Sequence, residues 1–444
     1  MENKTTQIVP KRILSSLIAS VSAGVVPRSG APYMAIGRND EISALLDDLE
    51  RVSGGEGRIR FIIGRYGSGK SFLIQLVRGY ALEKNFITAD ADLSPERRLY
   101  GTNGSGLATY RELIKNMASK SSPDGGAISK LIAKWISEFR NKLLDNGYSE
   151  DSPTFLNELN RLISRDMRDI EFLIGGFDFS KTLIEYYKAF VNGDDEKQSA
   201  CLRWLRGEYS TKTEAKQALG YNVSTIVNDD NWYDFIKLWS SLVRKMGYRG
   251  LVVFIDECVN LYKISNRISR ENNYEKILSM FNDTLQGHAE GLAIIFGGTP
   301  QFLDDTRRGL FSYEALRSRL CDSKYEAAGL KNLNNPILRL VRLGDNELFA
   351  LLKRMTNLFC QYYACDLKIS DENISDFLTQ NMERTGAETM VTPREMLRDY
   401  MTVLNILLQN REVDFYTVVG SVRTDKSKEE KAKIQTVTAE DIVF

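Results

Sequence analysis

Two short stretches carry residue types that can do phosphate chemistry. The first is Gly64-Arg65-Tyr66-Gly67-Ser68-Gly69-Lys70-Ser71, which satisfies G-x-x-x-x-G-K-[ST] at every fixed position. Gly64, Gly67 and Gly69 let the chain turn tightly with no Cβ in the way, so backbone N–H groups can converge on phosphate oxygens. Lys70 can reach the β- and γ-phosphates, and the Ser71 hydroxyl can ligate Mg²⁺. Arg65, Tyr66, Ser68 and Phe72 complete the segment that would wrap a nucleotide. The second stretch is "LVVFIDEC", where an apolar run ends in Asp256 and Glu257. Asp256 suits Mg²⁺, through a water, and Glu257 suits the task of orienting and deprotonating an attacking water. An acidic pair can also do no more than close a strand; the phosphate-loop pattern upstream favours the catalytic reading.

These residues need elements to hold them. Short apolar, β-rich runs at 60–64, 86–93, 251–256, 292–298 and 337–343 alternate with helical patterns, which predicts a parallel sheet covered by helices. The third and fourth runs are almost continuously apolar, as strands buried on both faces are. The segment "SFLIQLVRGYAL" predicts a helix that presents the positive end of its dipole to a bound anion. Charged helical patterns such as 127–144 fill the interval between the second and third strands. A second helical region follows the last strand and closes with 392–408. Residues 423–433 are a charge run that reads as a solvated tail.

Other positions are candidates with plain alternatives. Thr299, in "FGGTP" after the fourth strand, could touch a γ-phosphate or the attacking water, or simply mark a turn. Arg317 and Arg319 in "YEALRSRL" could act in trans on phosphoryl transfer, or form a solvated helix face. Thr392 and Pro393 predict a helix start, which puts Arg394 in a first turn that could lean over the nucleotide. His288 reads as a surface or turn histidine. The segment 213–224 has the outline of a helix-turn-helix around Gly220.

Composition sets limits. Hydrophobic residues make up 43% and charged residues 27%, ordinary for a protein with a large core. Net charge is +0, so no overall field draws the chain to nucleic acid, and any DNA contact needs a local patch or a partner. Five cysteines and a single histidine fit neither a zinc site nor a disulfide framework, and reduced thiols point to the cytoplasm. Residues 11–24 imitate a secretion signal, but their apolar positions repeat at helical spacing, which predicts an amphipathic helix packed on the main domain. No apolar run is long enough for a membrane span.

The segments "GVVPRSGAPYMAIGR", "ADLSPERRLYGTNGSGLATYREL" (91–113), "MGYRGLVVFIDE" (246–257) and "VTPREMLRDY" (391–400), with the phosphate loop, resemble an AAA+ ATPase. The branch with origin-recognition and replication-initiator ATPases is similar, and the ATP-binding proteins of BREX phage-defence systems more so. The resemblance implies a P-loop NTPase core with a five-stranded parallel sheet in the order 5-1-4-3-2 and a C-terminal helical lid. It implies that Ile36, Gly37 and Arg38 border the adenine, that Arg394 is a lid sensor, and that Arg317 or Arg319 reaches a neighbouring subunit's nucleotide. Thr299 departs from the asparagine that many AAA+ proteins place there. The expected layout is a core over 1–343, with an N-terminal helix at 11–23 and a helical insertion at about 114–230. A lid over 344–412 and a charged tail over 413–444 follow. ATP and Mg²⁺ are the expected ligands, with further copies of the chain, other defence proteins and DNA as candidate partners. The expected activity is an ATP-driven switch; a nucleotide-bound oligomeric scaffold with little hydrolysis is the alternative. A DNA motor lacks a basic stripe here, and a small-molecule kinase suits the arginines poorly.

Overall fold

The computed structural model describes residues 9–150, 152, 154–321, 332–383 and 392–420. The charge run at 423–433 lies outside them. By its internal contacts the chain forms two compact units, one of Asp40–Gly64 and Val77–Leu340, the other of Met1–Asn39, Arg65–Leu76 and Val341–Phe444.

The first unit holds the sheet. Strands β1 (Arg58–Gly64), β2 (Ile87–Asp92), β3 (Leu251–Asp256), β4 (Leu292–Gly298) and β5 (Ile337–Leu340) are all parallel, in the order β2-β3-β4-β1-β5. This is the α/β, five-stranded arrangement of a P-loop NTPase that the sequence predicts. Strands β3 and β4 are buried along their whole length, because helices cover both faces. β5 stops at Leu340, short of 343: Val341 is 72% exposed, so the run has lost its buried face.

Sequence reading missed a buried ion pair. Arg60 points from β1 into the interior, bonded to Asp48 through Nε and, at 3.1 Å, through Nη2. It also donates to the Leu333 carbonyl at 2.9 Å, tying the approach to β5 against β1. Removing one partner strands the other charge without water. Asp48→Ala is therefore expected to cost about 3 kcal/mol, read as a lowered midpoint in urea unfolding with an unchanged slope.

Helices Ile128–Asp145, Phe155–Glu171, Gly176–Val191, Asp195–Leu205 and Lys212–Leu219 occupy the long segment between β2 and β3. Their buried faces join the sheet in one apolar cluster. Phe235 sits at its centre, edge-on to Tyr110, Phe179 and Trp204 at 6.2, 6.4 and 5.6 Å. The helix-turn-helix reading of 213–224 is not met. Helix Lys212–Leu219 ends at Gly220, φ +71°, and the next helix starts only at Trp232. The buried Asp178 carboxylate accepts from the Ser224 amide (2.9 Å), the Ser224 hydroxyl (2.6 Å) and the Thr225 amide (2.8 Å), which holds this stretch as a loop.

In the second unit, helices Asp345–Tyr363, Asp371–Glu383 and Pro393–Gln409 pack around Met355, Phe377, Tyr400 and Leu404. The amphipathic helix expected near the start of the chain is present as Lys11–Ser22 and belongs to this unit. Its buried Leu14, Leu17, Ile18 and Val21 fill the same apolar cluster.

Candidate functional site

The candidate phosphate loop, after Gly64, lies in the second unit. Gly67 and Gly69 take φ of +77° and +88°, a left-handed backbone that glycine alone adopts without strain. At Gly67 there is a second demand: a Cβ would stand 2.8 Å from the Thr392 Cγ2. Around Gly69 a Cβ would meet nothing within 4 Å, so the backbone angle alone calls for glycine. The Ser68 amide donates to the Arg65 carbonyl at 3.1 Å, closing the turn, and helix Lys70–Glu83 follows directly. Lys70 Nζ donates to the Arg65 carbonyl at 3.3 Å, so the ammonium lies back across the loop. Tyr66 is 73% exposed, and Ser71 is half-buried in the helix's first turn.

The three residues expected around the adenine are in the same unit. Ile36 and Phe72 both pack against the apolar cluster of the C-terminal helices. Gly37 has φ +67°, and a Cβ there would lie 2.7 Å from Glu347 Oε1. Arg38 has φ +64° and donates to the Ser68 carbonyl at 3.1 Å. Thr392 caps helix Pro393–Gln409 in a reciprocal capping box: its hydroxyl accepts from the Glu395 amide at 3.2 Å, and its own amide donates to Glu395 at 2.9 Å. The Thr392 amide first, and then the Thr392 hydroxyl, which donates to the same carboxylate at 2.8 Å, hold the Glu395 carboxyl below the usual range. Arg394 is exposed in the first turn of that helix.

The acidic residues lie in the sheet unit. Asp256 closes β3, is 9% exposed, and accepts from the Glu257 amide at 2.8 Å. Glu257 follows at φ +57°, a left-handed position that costs a non-glycine residue about 1–3 kcal/mol, and its side chain is exposed. Asn260 donates to the Leu93 carbonyl at 2.8 Å and to the Glu257 carbonyl at 3.2 Å, fastening the exits of β2 and β3 together. Thr299 lies just past β4 and caps the short helix Pro300–Asp304, accepting weakly from the Phe302 amide at 3.4 Å. Arg317 and Arg319 are exposed on helix Glu314–Leu320; the first pairs with Glu314 at 3.6 Å, and the second donates to the Ala315 carbonyl at 2.7 Å.

One acidic residue escaped sequence reading. Asp92, the last residue of β2, is in register with Asp256. Asp92 is exposed at the strand end, yet partial loss of hydration at its carboxyl raises it above the ordinary value of 3.8, and the charges of Asp256, Glu257 and Asp90 add to the rise. The signal was present in "TADAD", whose acids sit where a parallel sheet gathers its strand ends. A raised acid pKa means that the folded chain holds this proton more tightly than the unfolded one. Stability therefore falls as pH climbs from the ordinary aspartate range through the raised folded value. Asp92→Asn is expected to raise Tm at pH 7, with the gain vanishing below the unfolded value of 3.8; thermal scans against pH read it directly.

Among the described residues, no group of three or more histidine, cysteine, aspartate or glutamate side chains could hold a metal unaided. Mg²⁺ is commonly held by one or two protein oxygens, with phosphate oxygens and water as its other ligands. The hydroxyl of Ser71 and the carboxylate of Asp256 are hard oxygen donors that suit it. Among the same residues, no helix is long and apolar enough to cross a membrane.

A family model for the BREX system ATP-binding protein BrxC/D matches residues 9–423. The chain belongs to this family. The match covers both compact units, from the Lys11–Ser22 helix to the last C-terminal helix, so membership does not rest on the phosphate loop alone. Membership gives this BrxC/D protein ATP as its ligand and a BREX defence system as its setting. No curated protein matches the chain.

Proposed function

We propose that this BrxC/D protein is an AAA+ ATPase that works as a molecular switch in BREX anti-phage defence, acting in the cytoplasm on DNA or on a DNA-bound partner complex. The observation that carries hydrolysis, beyond binding, is Glu257: an exposed carboxylate kept at a left-handed backbone position, directly after a buried aspartate that takes its amide. A protein that only stored ATP has no use for such a carboxylate there.

Each residue then has a task. The amides of the phosphate loop and the Lys70 ammonium hold the phosphates. Ser71 and Asp256 would hold Mg²⁺, which when bound would supply positive charge to offset that on the transferring phosphoryl oxygens. Glu257 accepts a proton from water as the water oxygen attacks the γ-phosphorus. The bond from that phosphorus to the β–γ bridging oxygen breaks, leaving ADP and phosphate. The Thr299 hydroxyl, which uses an oxygen lone pair in its cap, keeps its proton free to donate to the γ-phosphate or the attacking water. Arg394 senses the γ-phosphate from the C-terminal helices. A neighbouring copy supplies Arg317 or Arg319, and their two-residue spacing turns them to faces about 200° apart, so only one serves a given neighbour.

The arginine assignment has its own check. Mixing Arg317→Ala or Arg319→Ala protein with Glu257→Gln protein is expected to restore hydrolysis for the one that acts in trans and not for the other. The proposal as a whole is tested by steady-state ATP hydrolysis with and without double-stranded DNA. A rate that rises with DNA is expected. A rate equal to the Glu257→Gln background in both conditions would leave an ATP-bound scaffold instead.

A further inference from the structure

We infer that Arg38 is a positioning residue that sets the shape of the phosphate loop through its main chain, rather than a side chain that merely borders the base. The geometry that carries this lies within one compact unit. The Arg38 guanidinium donates to the Ser68 carbonyl at 3.1 Å and to the Val341 carbonyl. One guanidinium nitrogen, Nη2, thus joins three stretches of chain that are remote in sequence: the turn at 36–38, the middle of the phosphate loop, and the residue that leads into the C-terminal helices. Both acceptors are main-chain oxygens, so the bonds fix the path of the backbone whatever side chains those positions carry.

The turn that presents Arg38 is itself held. Gly37 and Arg38 both take left-handed angles, +67° and +64°, the second in a region that arginine seldom visits. A Cβ on Gly37 would lie 2.7 Å from Glu347 Oε1. Glu347 is fixed in turn, because its other oxygen accepts from the Gly344 amide at 2.8 Å at the start of helix Asp345–Tyr363. The turn therefore cannot slide along the helix without breaking these contacts. On its other side the loop meets Thr392, through Gly67. Arg38 and Thr392 bracket the loop between them, and Arg38 does so by a charge-assisted bond to a loop carbonyl, that of Ser68.

A phosphate loop binds through the direction of its amides, so anything that fixes its main chain acts on ATP and ADP alike. This consequence rests on the proposed nucleotide site; the ordering of the loop does not. Two measurements separate them. The first is hydrogen exchange of residues 64–71 in the protein without nucleotide, for wild type, Arg38→Ala and Arg38→Lys, with β3 as the reference for intact fold. The second is affinity for fluorescent ADP and fluorescent non-hydrolysable ATP in the same three proteins.

Arg38→Ala is expected to speed loop exchange without altering β3. It should weaken both nucleotides by about tenfold, the scale of one lost charged hydrogen bond, with kcat at saturation changed much less than KM. Arg38→Lys, which can still reach one carbonyl, should fall between. Unchanged loop exchange in Arg38→Ala overturns the inference, as does a loss confined to the triphosphate, which would mark direct contact with the γ-phosphate. Faster loop exchange in a protein whose wild type binds neither nucleotide would uphold Arg38 as the loop's anchor and sink the nucleotide site instead.

Discussion

Lys70→Ala is expected to lose ATP binding while the protein stays folded. The ammonium is the one full positive charge that the loop pattern places for the β- and γ-phosphates, and hydrogen bonds from a charged donor are worth about 1.5–3 kcal/mol each. With two phosphates losing their partner, affinity should fall by at least about 100-fold. Lys70 is half-buried and donates to the Arg65 carbonyl at 3.3 Å, a long contact inside the loop itself. Titration with a fluorescent ATP analogue, beside a thermal scan, reads both halves of the expectation. Wild-type affinity in the variant would show that the phosphate site has been misplaced.

Glu257→Gln is expected to do the opposite: keep ATP bound and stop its turnover. Glutamine has the same shape and can sit at the same left-handed angle, but it cannot take a proton from water. Loss of a general base costs about 10²–10⁴ in rate. Affinity should stay near wild type, since in this account Glu257 binds the attacking water and not the phosphates. Retained ATP can be counted after rapid gel filtration. A variant that hydrolyses at the wild-type rate would remove Glu257 from the chemistry.

Much of the sheet was legible in the sequence, and the reasons are specific. The almost unbroken apolar runs of β3 and β4 could only be strands covered on both faces, and their ends fell at Asp256 and Gly298 as read. The capped start at Thr392-Pro393 was equally plain, because capping is local chemistry. What escaped was non-local. Nothing local to β1 told what Arg60 would meet, because Asp48 and the Leu333 carbonyl come to it from elsewhere in the chain. The Lys11–Ser22 helix showed its apolar face but not the surface that face would meet.

The candidate site divides in the same way. Gly67 and Gly69 could be read because left-handed turns select glycine, a demand visible in one residue at a time. Asp92 was hidden because its neighbours, Asp256 and Glu257, are adjacent only across the β2–β3 ladder. Arg38 was placed beside the base by resemblance, while its contact with the Ser68 carbonyl comes from tertiary geometry that no spacing encodes.

The central claim is that this BrxC/D protein hydrolyses ATP, and does so through Glu257. Single-turnover hydrolysis of γ-labelled ATP, with protein in excess, tests it most directly in wild type and Glu257→Gln side by side. The account predicts release of labelled phosphate by the wild type and, from the variant, ATP that stays bound and intact. Equal release from both proteins would contradict it.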